Sequence, residues 1–567
     1  MAIRQDLDIE EWPLRPWLMA TICAVAGSAF HMLMDSPPFP AGAIVPAWRL
    51  AGASFVAIAA LSFVLTVETR RWTWSIMFAV GWGAVIAMIG WFTAQYNQKP
   101  SLLEWPYLAG LFAVMLAAPL FQTMRDEGRW RFPYAKLHGH AWTDAVIGAA
   151  SVGFIGVTFI MLLLIGGLFD LIGFDLIKRL LDRGWFMWAL AGLAFGAAVG
   201  LLRERDALVG TLQRLVMVVL GVLAPVLAAA LILFLVSLPF TGFEKPNPWS
   251  TATPLMLSLA AASVLFANAV IGSGGDDRST SRVLSVAALA LVLSILPLAL
   301  IAAFSMAQRI GQYGWTPERI WGVVAVAVAI TYGLAGWWAV AKGRKDFDDQ
   351  LRPLQTRMAI GLCALALFFA LPIVDFGAIS TRSQLTRLET GKVAPQEFDW
   401  TALAFDFGPA GRRDLARVSA TGPARQRAFA TAALEAHDRH AVAQKAAAVS
   451  AEQTVDQRLR LLSDDISLTD TLRQRVSEAG LCRGAVRCAL MRVDSDRLLL
   501  ITSYGPRREV TSTIIDANQP VTRQGTRTRA LVPSAEGVEL DKARVELRRV
   551  SRRQLYVDGK PVGVPFE

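Results

Sequence analysis

The chain has few charged residues for its length and lacks the usual signatures of catalysis. Only 18% of its 567 residues are charged, against about a quarter in soluble domains, and 54% are hydrophobic. The sequence contains no P-loop, no nucleophile elbow and no dinucleotide-binding fingerprint. Its five histidines are scattered, so no clustered His, Asp and Glu set is visible. These absences disfavour an enzyme and direct attention to the long apolar runs.

Eleven apolar runs are long enough to cross a bilayer, because about 20 residues at 1.5 Å rise span the hydrocarbon core. Backbone polar groups must be paired in lipid, so the runs are predicted to be helices. The acidic leader before the first run argues against a cleaved signal peptide. The predicted spans are 17–34, 49–67, 74–94, 105–124, 143–169, 184–202, 213–238, 252–272, 283–306, 319–341 and 357–378.

Charge density changes near residue 379. Residues 1–378 carry 26 Lys and Arg with 23 Asp and Glu, and 379–567 carry 30 and 23 in half the length. The second segment is therefore predicted to be soluble, helical to about residue 480 and β-rich afterwards, with an Asp558-Gly559 hairpin turn. The predicted fold is mainly α: a polytopic α-helical membrane bundle of about eleven spans with a C-terminal extramembrane α+β domain.

Positive charges are distributed unevenly between the two sets of connections. With the N-terminus inside, the inward segments carry 18 Lys and Arg and the outward loops carry 8. The positive-inside rule then predicts a cytoplasmic N-terminus, and eleven spans put the C-terminal domain outside. Cys482 and Cys488 are the only cysteines of that domain and form a candidate disulfide, with two reduced thiols as the alternative.

Within the spans, packing signals outnumber chemical ones. Gly192, Gly196 and Gly200 form a small-xxx-small ladder that predicts close approach of a neighbouring helix. Pro225 and Pro297 lie inside predicted spans, as they do in transporters but also in inert bundles. No ionisable residue is predicted at mid-depth, which disfavours proton-coupled transport.

The outward loop between the ninth and tenth spans is the most distinctive segment. In it Thr316 suits a helix N-cap, Pro317 suits the first helical position, and Tyr313 and Trp315 suit the headgroup level. It is either a well-capped interfacial turn or a contact site for a lipid headgroup, a ligand or the external domain. The candidate contact residues are Arg309, Tyr313, Gly314, Trp315, Thr316 and Arg319.

This loop, with its Arg-Ile-x-x-Tyr-Gly-Trp-Thr-x-x-Arg pattern, resembles the signature of a family of bacterial multi-pass membrane proteins, domain of unknown function 4153. The 167–173 run and the stretch from Phe398-Asp399-Trp400 to Phe405-Asp406-Phe407-Gly408 are similar to it as well. The resemblance covers about residues 15–420. It implies a bacterial inner membrane with a periplasm outside, and it implies no activity.

Three functions remain open at this point. The favoured one is a non-enzymatic envelope protein of the bacterial inner membrane, whose periplasmic domain binds a ligand or a protein partner. The alternatives are a transporter or lipid-handling permease, and a membrane-embedded transferase. No catalytic residue, cofactor, metal ligand or nucleic-acid partner is predicted, and the lipid bilayer is the one partner that composition implies.

Overall fold

The structure is a computed structural model. It describes residues 12–35, 45–94, 100–241, 249–274 and 281–463 and, beyond these, parts of the C-terminal segment: 465–469, 472, 476, 482, 487–494, 497–504, 509–516, 545, 551, 553–557 and 560–566. The described chain forms two compact units. Unit 1 contains Met1–Thr390 and Phe405–Gly411, and unit 2 contains Gly391–Ala404 and Arg412–Glu567.

Unit 1 is built from long apolar helices. Eleven of the described helices are long and apolar enough to cross a membrane, so the predicted polytopic helical bundle is confirmed. A twelfth helix, α6, has six residues. In chain order the helices are α1 (Arg15–Asp35), α2 (Ala47–Thr66), α3 (Trp72–Thr93), α4 (Pro100–Glu127), α5 (Tyr134–Asp170), α6 (Leu176–Leu181), α7 (Gly184–Glu204), α8 (Asp206–Thr241), α9 (Trp249–Ile271), α10 (Arg282–Tyr313), α11 (Pro317–Gly343) and α12 (Phe347–Ala370).

The last span ends earlier than its hydropathy suggests. The prediction placed its end at residue 378, whereas α12 ends at Ala370. Pro372 follows, and proline disfavours helix both at its own position and at the preceding residue. Asp375 then caps a new helix, α13 (Phe376–Glu389), by accepting a hydrogen bond from the Ala378 backbone N–H.

The predicted glycine ladder on α7 is confirmed as a close helix contact. A Cβ placed on Gly192 or Gly196 would collide with the backbone of α1 at Cys23 and Met19. At Gly200 it would lie 2.5 Å from the Cα of Pro16. Because these glycines have no side chain, α1 and α7 pack backbone to backbone.

The start of α1 meets the ends of three other spans at one end of the bundle. Arg15 donates a hydrogen bond to the carbonyl of Val67, 2.8 Å away, just after α2. Arg203, at the end of α7, donates to Val64 at 3.2 Å. Arg125, at the end of α4, also donates to the last turn of α2. We call this end of the bundle the Arg15 face.

Tyr313 lies at the opposite end. Successive spans alternate in direction, and α12 runs antiparallel to α4: Cys363 lies 3.4 Å from the Ala113 carbonyl, and Ala370 lies beside Gly110. The start of α12 and the end of α9 therefore share the Arg15 face, whereas α10 ends at the other end, which we call the Tyr313 face. The largest buried cluster surrounds α10, where Leu291 and Leu298 are fully buried among α8, α9, α11 and α12.

Unit 2 combines helices with a small sheet, as the α+β prediction expected. Its helices are α14 (Trp400–Phe405, whose last residue is in unit 1), α15 (Gly408–Thr421, whose first turn is in unit 1), α16 (Ala424–Leu434) and α17 (Arg439–Arg458). A turn separates α16 from α17, and Asp438 in this turn accepts a hydrogen bond from the Ala441 N–H. His437 therefore lies in a turn while His440 is helical, so the two do not form a pair on one helix face.

The sheet has four strands in the order β1 (Leu459–Leu461), β2 (Arg487–Arg492), β3 (Arg497–Tyr504) and β4 (Glu509–Asp516). The first pair is parallel and the other two are antiparallel. A separate antiparallel pair joins β5 (Arg553–Val557) to β6 (Lys560–Phe566). The Asp558-Gly559 turn predicted for this hairpin lies outside the described residues.

Candidate functional site

The 309–319 segment joins α10 to α11 by a tight glycine turn. Gly314 follows the last residue of α10 with φ 74° and ψ −177°, and its N–H donates to the Ile310 carbonyl at 2.8 Å. This backbone region is open almost only to glycine. Thr316 occupies the N-cap position and Pro317 the first helical position of α11, as predicted, but Thr316 makes no side-chain cap hydrogen bond.

Side chains of α13 bind the backbone of this turn. Gln384 donates from its amide to the carbonyls of Tyr313 and Trp315, at 2.8 and 3.0 Å. Ser383 accepts a hydrogen bond from the Trp315 N–H at 3.1 Å. Arg387 donates to carbonyls in the last turn of α10. We call these three interactions the α13 contact, and they hold the helix after the last span against the Tyr313 face.

The two arginines of the 309–319 segment have different surroundings. Arg319 donates to the carbonyls of Tyr313 (3.1 Å) and Gly314 (2.5 Å), and its guanidinium lies 5.5 Å from the Tyr313 ring. The structure gives Arg309 no hydrogen bond or ion pair with another described residue, and Arg309 and Arg387 both lie near enough to Arg319 to add to the positive potential around it. The segment thus combines an internally bonded turn with a cationic surface.

An aromatic cluster lies beneath the α13 contact. The Trp321 ring of α11 lies 5.3 Å from Phe376 of α13, 5.7 Å from Phe369 of α12 and 6.1 Å from Trp105 of α4, measured between ring centroids. Aromatic pairs at such distances add to the stability of their packing. Four helices are therefore joined at the position where the chain leaves its last span.

Sequence reasoning identified one half of this site and missed the other. The 309–319 segment stood out by its glycine, its aromatic residues and its capping pattern. The partner residues Ser383, Gln384 and Arg387 were not singled out, because residues 357–378 were assigned to one continuous span. Asp375 as a helix N-cap, with Leu385 and Leu388 three residues apart further on, was the available signal for α13.

A second polar cluster closes the end of α2 at the Arg15 face. Glu68, in the connection after α2, forms ion pairs with Arg203 at 2.6 Å and Arg15 at 3.3 Å. Gln122 donates to the Leu65 carbonyl at 3.0 Å and to both oxygens of Asp144, at 2.9 and 3.1 Å. These groups satisfy carbonyls that a helix end leaves unpaired, so the cluster is structural in character.

Charge around Glu68 determines its ionisation. Burial favours the neutral acid and by itself raises the pKa of Glu68, but the positive charges of Arg203, Arg15 and Arg125 outweigh it. The net result is a pKa below the ordinary value of a glutamate. Glu68 is thus held as a carboxylate, which partly compensates the three guanidinium groups around it.

In unit 2, Cys482 and Cys488 are joined in the structure, with Cα atoms 6.0 Å apart, and both are buried. That separation lies within the range that a disulfide requires. Formation of this bond in the cell stays a prediction. Within the part of the chain that the structure describes, no group of three or more His, Cys, Asp and Glu side chains is placed to hold a metal ion.

The second family stretch is divided between the two units. Trp400 stacks on Phe429 with parallel rings 5.9 Å apart and donates from its indole N–H to the Pro395 carbonyl at 2.8 Å, all within unit 2. Phe407 is buried in unit 1, where its carbonyl lies so close to Gly377 that no Cβ fits there.

Comparison with known proteins leads to a family. Neither the curated proteins nor the solved structures give a match to this chain. A family model described as Domain of unknown function (DUF4153) matches residues 53–412, well over half of the chain. The matched range includes nine of the eleven spans and most of α2, together with the 309–319 segment and α13. The chain therefore belongs to the DUF4153 family of multi-pass membrane proteins.

Proposed function

We propose that this protein is a non-enzymatic protein of the bacterial inner membrane whose C-terminal domain binds a ligand or a protein partner in the periplasm. In this proposal the bundle anchors the domain and senses its state through α13. The observation that carries it is the α13 contact: the helix that leads out of the last span is hydrogen-bonded to the turn between two other spans. A displacement of α13 would thus act directly on α10 and α11.

Chain connectivity supports this coupling. The chain passes from unit 1 to unit 2 after Thr390, returns at Phe405 and leaves again after Gly411. Both segments that enter unit 2 therefore begin in residues fixed within unit 1: one follows α13 and the other follows the buried Phe407. A conformational change within unit 2 that displaces either segment would therefore strain the α13 contact or the packing of Phe407 against Gly377.

The proposed orientation has separate support. Lysine and arginine are more frequent in the segments predicted on the side of the N-terminus, 18 against 8, which supports a cytoplasmic location of that side. A cysteine pair at disulfide spacing suits an oxidising periplasm on the other side. The domain also carries more Lys and Arg than Asp and Glu, 30 against 23, which favours a position next to anionic headgroups.

The coupling can be tested by weakening the α13 contact and measuring how fast a protease cleaves the C-terminal domain. Replacing Gln384 and Arg387 together with alanine removes side-chain hydrogen bonds worth about 0.5–1.5 kcal/mol each, so local opening should rise by at least about tenfold. Trypsin added to spheroplasts should then cleave the C-terminal domain faster than in the wild type. Arg319→Ala, which loosens the turn itself, should change cleavage in the same direction.

The matched control is Arg382→Ala, since Arg382 is an exposed arginine of the same helix that lies outside the α13 contact. Equal cleavage rates for the wild type, R382A and the double variant would refute the coupling. A domain that trypsin reaches only after lysis would refute the periplasmic placement instead, and the two failures are thus distinguishable.

The two alternatives require features that can be checked in the same way. A transporter needs a polar cavity between kinked spans near Pro225 and Pro297, and a transferase needs acidic and histidine side chains gathered on one outward surface. Substrate-dependent protection of α8 or α10 from hydrogen exchange would favour the first over the present proposal.

A further inference from the structure

A groove of about 570 Å³ lies between α1, α2 and α3, within the size range of small-molecule sites. Its walls are apolar, with one aromatic residue, Phe63, among aliphatic ones such as Val25, Ala60, Ile76 and Val80. The one polar residue in the lining, Thr21, donates its hydroxyl to the Trp17 carbonyl of its own helix at 2.8 Å. The groove therefore offers van der Waals contact and no hydrogen bonds to an occupant.

The groove has the depth of one bilayer leaflet. Its lining on α1 runs from Thr21 to Ala29, about 12 Å at 1.5 Å per residue, and half of the hydrocarbon core measures about 15 Å. On α2 the lining ends with Phe63, in the last turn, and on α3 it begins with Ile76, in the first two turns. On α2 and α3 it thus lies in the leaflet next to the Arg15 face, and on α1 it extends past the midpoint of the helix. Val25 is 63% exposed, so the groove is open towards lipid.

A cation stands at the headgroup end of this groove. The α2–α3 connection contains Arg70, which is exposed and for which the structure gives no hydrogen bond or ion pair with another described residue. Its neighbours are occupied: Arg71 donates to the Arg125 carbonyl, and Glu68 is neutralised by two arginines. Trp72, more than half exposed beside Arg70, has the position of an aromatic belt residue.

We propose that this groove is a binding site for one acyl chain of an anionic glycerophospholipid, whose phosphate is bound by Arg70. The hydrocarbon would fill the apolar walls of α1, α2 and α3. The phosphate lies at the depth of the α2–α3 connection and accepts charge-assisted hydrogen bonds from the guanidinium. The site would be a specific lipid site on the bundle, independent of any ligand of the C-terminal domain.

Native mass spectrometry of the detergent-purified full chain tests this site. Phosphatidylglycerol is titrated into the delipidated protein, and phosphatidylcholine serves as the headgroup comparison. The wild type should retain one phosphatidylglycerol in preference to phosphatidylcholine. Ala60→Phe fills the groove and should abolish retention of both lipids. Arg70→Gln should weaken phosphatidylglycerol about tenfold and leave phosphatidylcholine unchanged.

Two matched variants control for general effects. Ala149→Phe introduces the same bulk at an exposed position of α5, and Arg129→Gln removes another exposed arginine after α4; both should bind like the wild type. Since Arg70 is exposed, its variant folds even if Ala60→Phe does not. Equal retention in all variants overturns the site, and unchanged headgroup preference in Arg70→Gln overturns the role of Arg70. A dimer that Ala60→Phe disrupts would show that a second copy occupies the groove, and would also overturn the proposal.

Discussion

At the scale of single residues, arginine has one recurrent task in this protein: it closes the C-terminal ends of spans. Arg15 and Arg203 do so for α2, and Arg352 donates to the Ile271 carbonyl of α9 at 3.1 Å. Arg49 donates to the Leu33 carbonyl of α1 at 2.5 Å. The last carbonyls of a helix lack partners and carry a partial negative charge. An arginine from another helix both donates a hydrogen bond to these carbonyls and brings a positive charge next to them.

These caps explain a limit of sequence reasoning at this scale. The charge bias between the two sides was visible, but the use of each arginine was not. The donors stand 16 residues from their acceptor in the case of Arg49 and 138 in the case of Arg203, so no local pattern connects them. Arg319, which binds carbonyls of its own turn, is the local exception, and it was singled out from the sequence.

The ion pairs of Glu68 predict a dependence of stability on pH. Because its folded pKa is depressed, its contribution is present above the ordinary glutamate pKa and is lost as pH falls through the folded value. Glu68→Gln should thus lower the Tm at pH 7, and the difference from the wild type should shrink as the pH falls below about 4.3. Tryptophan-fluorescence melts in detergent measure this.

Glu397→Gln is the control for this experiment, since Glu397 is exposed and the structure gives it no ion pair with another described residue. Its Tm should follow the wild type at both pH values. A Glu68→Gln variant as stable as the wild type at pH 7 would contradict the assignment.

Gly314 predicts a backbone effect at the 309–319 segment. Gly314→Ala should destabilise the protein by about 1–3 kcal/mol, because alanine is strained at φ 74°, ψ −177°. Its Cβ would also lie 2.7 Å from Arg387 and 2.8 Å from Gln384. The comparison is Gly311→Ala, three residues earlier in α10, where nothing lies within 4 Å of the added carbon. Chemical denaturation in detergent should give G311A a free energy of unfolding equal to or above that of the wild type, and G314A a value below both.

At the scale of elements, hydropathy was sufficient to find all eleven spans of the described residues and insufficient to find how the last one ends. Lipid imposes helices on long apolar runs, so all eleven predicted runs fall on helices of the structure. The break after α12 depends on Pro372 and on the Asp375 cap. Hydropathy is averaged over a window of many residues, so single residues of this kind have little effect on it. The three-residue strand β1 was not predicted, because it is defined by its pairing with β2, which is distant in sequence.

The α1–α7 contact predicts that small residues on α7 are required. Gly196→Ala should lower the free energy of unfolding by about 1–3 kcal/mol, because its Cβ meets the Met19 backbone and the helices must separate. Gly156→Ala on α5, where the added carbon meets nothing within 4 Å, should be neutral or slightly stabilising. Thermal melts of the two purified variants test this prediction. Equal melting temperatures would contradict it, because they would mean that α1 and α7 can separate without loss of stability.

At the scale of the whole molecule, an odd number of spans places the two termini of the bundle on opposite sides, and the proposed orientation becomes a labelling prediction. In a variant without Cys23 and Cys363, Arg425→Cys should react with an impermeant maleimide in spheroplasts. Arg129→Cys should react only after lysis. Both positions are exposed, so the reverse pattern would invert the topology. Denatured protein should expose the Cys482 and Cys488 thiols only after reduction.

The passage of the chain between the two units has a practical consequence for dissecting the protein. A fragment that starts at Arg412 loses Trp400, whose ring stacks on Phe429 of unit 2. A fragment that starts at Gly391 keeps Trp400 but exposes Phe405 and Phe407, which are 4% and 2% exposed in the intact chain. One fragment therefore lacks a core residue, and the other exposes residues that are buried in the intact chain. Expression of unit 2 should therefore succeed best from Gly391 with both phenylalanines replaced by polar residues.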